Sequence, residues 1–514
     1  MADIQRNKRI AKNTVFLYIR MLFLILVQLY TVPILLKQLG VDDYGIYNVV
    51  GGIVTLFSFL GGALSSGSQR FLAYAIGKNN DIELKRLFDS TLTIFICFAL
   101  LLLIISETIG LWFLNNKMTI PSDRIIAANW VYQFSIFSFL ISLISIPYNA
   151  DIVAHEKMSL FAYISIAEGI TKLLAAISLK YAHGDLLIIY AAIICVCSFI
   201  IRIFYQVICG KLFAECRNIK LFWDSKIGKS LLAYTSWNTI GSLALIARNQ
   251  GMNLVLNYFF CPALNAAHTI GQHISGVITQ LTHNVYMATR PQITKLYARN
   301  EEQSMWNLAL SSAKWTYFLI MVICIPLILE MPLILNIWLP EIPDYTVTIS
   351  RLLVLSILIE TTVNQIIGVF QAKNRIKHYQ IISSAILLLN IPVSFMILKC
   401  YIVNPCIPYI VICLLSICYM LSIIIVAKYD VGLCISVFLK HVWLRMVVVT
   451  ILSSVCIYTI YSFLVPSLIR VFVTSIESVL FSSFFIYTLG VDKTERRIIN
   501  GYVKLSYKKI KNLR

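Results

Sequence analysis

Apolar runs of about 20 residues, separated by short polar connections, recur from one end of the chain to the other. A helix rising 1.5 Å per residue crosses the ~30 Å hydrocarbon core of a bilayer in a run of that length. On that count the pattern predicts about fourteen spans. They lie near 14–37, 45–68, 88–112, 125–148, 159–181, 186–208, 230–258, 265–288, 308–330, 347–370, 379–399, 408–427, 443–464 and 471–490. The expected fold class is therefore an all-α polytopic membrane protein. The connections alternate in charge. "NKRIAK", "GKNNDIELKRL", "RPQITKLYARNEE", "AKNRIK" and the tail "KTERRIINGYVKLSYKKIKNLR" fall on one side and hold most of the Lys and Arg. By the positive-inside rule that side, with both termini, is cytoplasmic.

Two cytoplasmic connections mix aromatics with lysines, and the pattern predicts an amphipathic helix in the interface plane for each. They are 211–229 and 428–442. The longer one follows the sixth span and divides the first twelve into two sixes. The expected organisation is an N-lobe (1–210, helices 1–6), a linker (211–229), a C-lobe (230–427, helices 7–12), a second linker (428–442), a helix pair (443–490) and a basic cytoplasmic tail (491–514). The two lobes are faintly alike. "NTVFLYIRML…LKQLGVDDYG" heads the first and "NTIGSLALIA…LNYFFCPALN" the second, as diverged repeats with a site between them would.

Composition narrows the function classes. Of 514 residues 59% are hydrophobic and only 13% charged, against about 25% charged in soluble proteins, and the mean hydropathy is +0.80. The net charge of +19 sits in loops and tail, so it is topological, and no soluble basic module suggests nucleic-acid binding. The first apolar segment is full length and has no small-residue cleavage site, which predicts a retained helix rather than a signal peptide. Most of the thirteen cysteines lie inside apolar runs as small hydrophobes. Cys400 and Cys406 share a short connection in which a disulfide is conceivable. No metal site is expected: Cys195 and Cys197 point to different helix faces, and His268, His273 and His283 scatter round theirs.

Polar residues inside the spans carry the functional information, because each is costly there. On the first helix Arg20, Gln28 and Thr31 share a face, and no acid lies on that segment to neutralise Arg20. The second carries a small and polar stripe ending in Ser65, Ser66, Gln69 and Arg70; the seventh carries Asn238, Ser242 and Asn249 with Arg248; the eighth carries Gln272, Ser275, Thr279 and Thr282. Stripes of small residues also permit close helix packing. Arg20 and Arg70 lie close enough to the cytoplasmic ends to snorkel. Arg248 is too deep, so it faces either an internal acid or a wet cavity. Glu168 and Lys172, four apart, are expected to pair. Glu360 lies at mid-depth with Asn364 and Gln371 on its side, and both Glu168 and Glu360 are candidate coupling groups.

The stretch 13–78, and most specifically "LGVDDYGIYN" and "SSGSQRFLAYAIGK", resembles the polysaccharide repeat-unit (O-antigen) flippases of the multidrug/oligosaccharidyl-lipid/polysaccharide exporter superfamily. Beyond residue 300 the resemblance is only topological. It implies a MATE-like pair of six-helix lobes related by a pseudo-two-fold axis, flanking a central cavity, with an added C-terminal helix pair. It implies transport of undecaprenyl-diphosphate-linked oligosaccharide from the inner to the outer leaflet of the bacterial inner membrane, without bond chemistry or a resident cofactor. Proton or sodium coupling stays open. Polysaccharide polymerase and chain-length proteins are the implied partners. Arg20, Arg70 and Arg248 would meet the diphosphate, with Gln28, Gln69, Asn238 and Asn249 lining the same faces. The alternatives are a cation-coupled multidrug antiporter, against which the acid-free first helix speaks, and a peptidoglycan-precursor flippase. A membrane polymerase or ligase would want a long polar outer loop, whereas 331–346 is apolar and proline-rich.

Overall fold

The computed structural model describes residues 2–55, 58–117, 123–260, 262–339, 342–400, 404–492, 495–497 and 500. Most of the expected tail, 491–514, lies outside the described residues. Among the described residues the chain is helical, with no strand. Ten helices are long and apolar enough to cross a membrane, and an eleventh span exists if Thr346–Thr361 and Asn364–Ala372, bent by 41°, count as one. Fourteen spans are thus not established. Of the expected spans not among these, the seventh and eighth are helical but too polar to qualify, while the second, 45–68, includes residues 56 and 57, which lie outside the described residues. The seventh and eighth carry polar stripes, and those residues lower the mean apolarity of the whole element.

The chain divides into two compact units. The first comprises 9–242 with 294–301. Its helices are α1 (Ala2–Thr55, mostly in this unit), α2 (Ser58–Gly77), α3 (Asp81–Ile105), α4 (Leu111–Lys117), α5 (Ile125–Ala154), α6 (Met158–Ser178) and α7 (Leu186–Leu212), followed by the start of α8 (Ser225–Phe259). α1 is two helices joined at Gly40, whose φ of 80° is open to glycine without steric cost. The "LGVDDYG" turn contains this break, and it is locked by charge. Arg124 binds Asp43 bidentately through Nε (2.9 Å) and Nη2, and reaches Asp185 Oδ2 through Nη1 at 2.8 Å. Burial works against the Arg124 cation, but its hydrogen bonds to Asp185 and Asp43 outweigh that and hold its pKa above the usual value. Asp185 Oδ1 also caps α7 by accepting from the Leu187 and Ile188 amides, which satisfies donors that open every helix.

Beneath that turn Phe95, Ala128, Val131, Tyr132, Leu143 and Leu187 form the apolar core of the unit. At its other end Glu156 gathers three segments. Its carbonyl accepts from Asn13, and its carboxylate pairs with Lys295 (2.6 Å) and Arg9 (3.6 Å). The returning piece 294–301 lies so close to α2 that a Cβ on Gly77 would sit 2.7 Å from the Ala298 Cβ and 3.0 Å from the Lys295 Cα. The glycine of "AIGK" is therefore a packing requirement. The connection expected as an interfacial helix over 211–229 is instead irregular between α7 and α8. It is held down by Lys85, whose Nζ donates to the carbonyls of Glu215 (3.0 Å) and Arg217 (2.8 Å). Those contacts to backbone carbonyls take the place of helical hydrogen bonds.

The second unit comprises 243–293 and 302–514, with 1–8. It contains the rest of α8 and most of α9 (Pro262–Ala298). The elements α10 (Glu302–Leu329), α11 (Met331–Trp338), α12 (Thr346–Thr361), α13 (Asn364–Ala372), α14 (Lys377–Cys400), α15 (Ile407–Asp430), α16 (Ile435–Phe438), α17 (Leu444–Phe463) and α18 (Leu468–Phe485) follow. The expected second linker, 428–442, is not a separate interfacial helix. α15 runs to Asp430, and from Ile435 a short helix and a π-turn lead directly into α17. The last helix pair is tied in by charge: Arg470 Nε and Nη2 each lie 2.9 Å from Glu330, with the Tyr461 ring 4.3 Å from the guanidinium. Lys314 is buried and reaches Glu495 at 2.6 Å and Asp492 at 3.4 Å. Cys400 and Cys406 are free thiols, so the conceivable disulfide is not formed.

Candidate functional site

The candidate site residues fall in both units, and the structure treats their charges differently. In the first unit, α1 buries Leu17 and Met21, which places Arg20 half-buried beside α6. The Arg20 guanidinium lies over the Phe161 ring at 4.5 Å, and its buried Nε makes no hydrogen bond. Among the described residues no carboxylate comes within ion-pair distance of Arg20. Glu168 takes Lys172 as its partner instead, at 2.7 Å, the i, i+4 contact their spacing implies.

Arg70 is buried, with its guanidinium 4.7 Å from the Phe71 ring and 5.6 Å from that of Tyr234. Gln69 donates to the Ser65 hydroxyl at 3.1 Å, and Gln28 is exposed. Asn238 donates back to the Tyr234 carbonyl at 3.2 Å and belongs to this unit. Arg202, on α7, belongs with these arginines and was missed by the sequence reading. It stacks on Tyr148 at 4.4 Å and donates to its hydroxyl at 3.4 Å, while its Nη1 is buried without a hydrogen bond. Its signal was present as a lone cation in the run "SFIIRIFYQ". Arg20 and Arg202 thus keep their charge over aromatic faces, a contact worth about 0.5–2 kcal/mol that leaves the cation formally uncompensated.

In the second unit the corresponding charge is neutralised. Arg248 Nη1 lies 3.3 Å from Glu360 Oε1, with side-chain exposures of 16% and 23%. The same carboxylate oxygen accepts from Ser416 at 2.8 Å. Of the two environments expected for Arg248, the structure supplies the acid, because α12 carries Glu360 to the same level as α8. Arg248 is therefore not a cation awaiting a counter-ion, which corrects its place among the uncompensated arginines. The pair also joins one candidate anion-binding residue to one candidate coupling residue. Asn249 contributes its backbone to His268, which also meets the Tyr409 hydroxyl at 2.8 Å. Arg351, unremarked in the sequence, donates to the Ile328 and Leu329 carbonyls that end α10.

No protein-family model and no curated protein sequence matches the chain. Its likeness is to solved structures. One described as MATE in the bent conformation aligns with a TM-score of 0.70 at 14% identity, covering 85% of this chain and 96% of the other. A MOP superfamily transporter from Pyrococcus furiosus, described as having a binding pocket of reversed polarity, gives 0.68 at 13% identity over 85% and 97%. An outward-facing multidrug resistance MATE family transporter of the MOP superfamily gives 0.68 at 14% over 84% and 96%. At these identities the likeness concerns architecture, and the chain has the fold of the MATE and MOP superfamily transporters.

Proposed function

We propose that the protein is a membrane transporter that moves a polyprenyl-diphosphate-linked oligosaccharide from the inner to the outer leaflet of a bacterial inner membrane, with both termini cytoplasmic. Arg20 carries the proposal. It is a permanent cation within a span, with no acid partner among the described residues, and such a group marks a substrate or ion path. A diphosphate is the fitting counter-ion, since guanidinium binds phosphoryl oxygens through two parallel hydrogen bonds. Arg202 supplies a second cation without an acid partner among the described residues, in the same unit, and Arg70 a third positive charge. The "LGVDDYGIYN" and "SSGSQRFLAYAIGK" stretches and the fold likeness support the same family of transporters. No bond is made or broken.

The fold fits a cation-coupled multidrug antiporter equally well. Glu360 is the observation that favours it, as a carboxylate near the bend of the apolar helix pair Thr346–Thr361 and Asn364–Ala372, the kind of group that takes up a proton or sodium ion. The two readings separate in proteoliposomes. Outward movement of a labelled polyprenyl-diphosphate oligosaccharide, lost in Arg20→Ala and partly kept in Arg20→Lys, supports the flippase. Gradient-driven uptake of cationic drugs, with no movement of the lipid-linked sugar, overturns it.

A further inference from the structure

Where α5 ends, three ligating side chains of the first unit converge in a place the transport proposal does not use. Asp151 lies on the last turn of α5 and His155, four residues on, caps it, so they share a face. Glu215 comes from the irregular 213–224 segment. Their donor atoms all lie within 4.8 Å of one another, with His155 Nε2 2.6 Å from Glu215 Oε1 and 3.8 Å from Asp151 Oδ1.

Asp151 is the telling member. It is fully buried: Oδ2 accepts from the Cys216 thiol at 3.4 Å, while Oδ1 makes no hydrogen bond of good geometry and has the Glu215 carboxylate as a close neighbour. A buried carboxylate oxygen without a partner is costly, and this one lies 3.8 Å from His155 Nε2. The surroundings hold the other groups in place. His155 stacks on Phe213 at 4.3 Å with 16° between the rings, and Lys85 anchors the Glu215 and Arg217 carbonyls.

We propose that Asp151 Oδ1, His155 Nε2 and Glu215 Oε1 bind one divalent cation of the zinc class, with water completing the coordination, and that this ion clamps the 213–224 segment to the end of α5. One imidazole and two carboxylates form a ligand set that zinc accepts at about 2.0–2.2 Å, which places the donor atoms about 3.4 Å apart, within reach of the observed distances. Two carboxylates balance its charge. Magnesium is disfavoured, because it demands octahedral oxygen coordination. His155, with its side chain 25% exposed, is the side from which the ion and the water enter. The Cys216 thiol orients Asp151 from behind, as hydrogen bonds to ligating carboxylates do.

The test uses the full chain without a histidine tag, purified in detergent, stripped with chelator and titrated with zinc chloride alone or magnesium chloride alone. The expected result is one zinc per chain, no comparable magnesium binding, and a raised unfolding midpoint with zinc. His155→Ala and Glu215→Gln should each weaken zinc binding by about 10–100-fold or more and abolish the rise in midpoint. Glu215 lies in an irregular segment, so that variant keeps the proposal testable if Asp151→Asn fails to fold. Substoichiometric zinc, or zinc bound equally by wild type and both variants, as adventitious thiol sites would give, overturns the proposal and leaves a hydrogen-bonded cluster only.

Discussion

The guanidinium of Arg248 lies 3.3 Å from the carboxylate of Glu360, and Ser416 donates to the same carboxylate oxygen. Arg248→Ala strands a mostly buried acid and should destabilise the protein by about 2–3 kcal/mol, less than a fully buried pair would lose. Neutralising the stranded acid as well, in Arg248→Ala with Glu360→Gln, should recover most of that loss. Unfolding midpoints in detergent measure it. An Arg248→Ala protein as stable as wild type but inactive in transport would return Arg248 to the anion-binding group.

Arg20 should behave in the opposite way. Among the described residues it has no acid to strand, so Arg20→Met should cost no more than about 2 kcal/mol, the scale of the lost contact with Phe161. Transport should nevertheless fail. Midpoint and flux measured on the same preparation check this, and a large loss of stability would mean that Arg20 holds the fold.

Arg124 bridges two acids, Asp43 and Asp185, with one planar group. Lysine keeps the charge but cannot span both carboxylates. Arg124→Lys should therefore destabilise the first unit by about 1–2 kcal/mol, a moderate figure because the cluster is partly exposed. Hydrogen exchange should quicken in the α7 cap and the turn after Gly40, while exchange in the second unit is unchanged.

The Arg470–Glu330 pair is nearly sealed from solvent, at 9% and 0% side-chain exposure. Arg470→Met alone should cost about 3–5 kcal/mol, whereas Arg470→Met combined with Glu330→Met should come within about 1 kcal/mol of wild type. Thermal unfolding of the three proteins decides it. Equal losses in single and double variants would mean that packing rather than charge holds the final helix pair.

Asp492 gives a pH signature. Burial acts to raise its pKa, but Lys314 and Arg445 outweigh it and hold the carboxyl below the usual aspartate value. A group with a depressed folded-state pKa adds stability above its unfolded value of about 3.9. That stability is lost as the pH falls through the lower folded value. The midpoint difference between wild type and Asp492→Asn should be constant above about pH 5 and shrink towards zero below about pH 4. A difference that does not change across this range would show that Lys314 and Arg445 do not act through the Asp492 charge.

The pattern of apolar runs was enough to place the helices, because bilayer thickness imposes a length and a composition that any spanning helix displays locally. The same pattern undercounted the cost of polar faces. The helices it placed seventh and eighth are present, but fall short as spans on composition. Local spacing also paired Glu168 with Lys172 and exposed Arg20 as a cation without an acid on its own segment. What the sequence could not decide was whether another segment brings an acid. Arg248 and Glu360 are 112 residues apart and Arg470 and Glu330 140, while Asp151, His155 and Glu215 join two segments about 60 residues apart. Charge compensation acts over a few ångströms in space whatever the separation along the chain. So the sequence determined which residues carry charge into the apolar layer, and the tertiary structure alone decided which of those charges are cancelled and which stay open to a ligand.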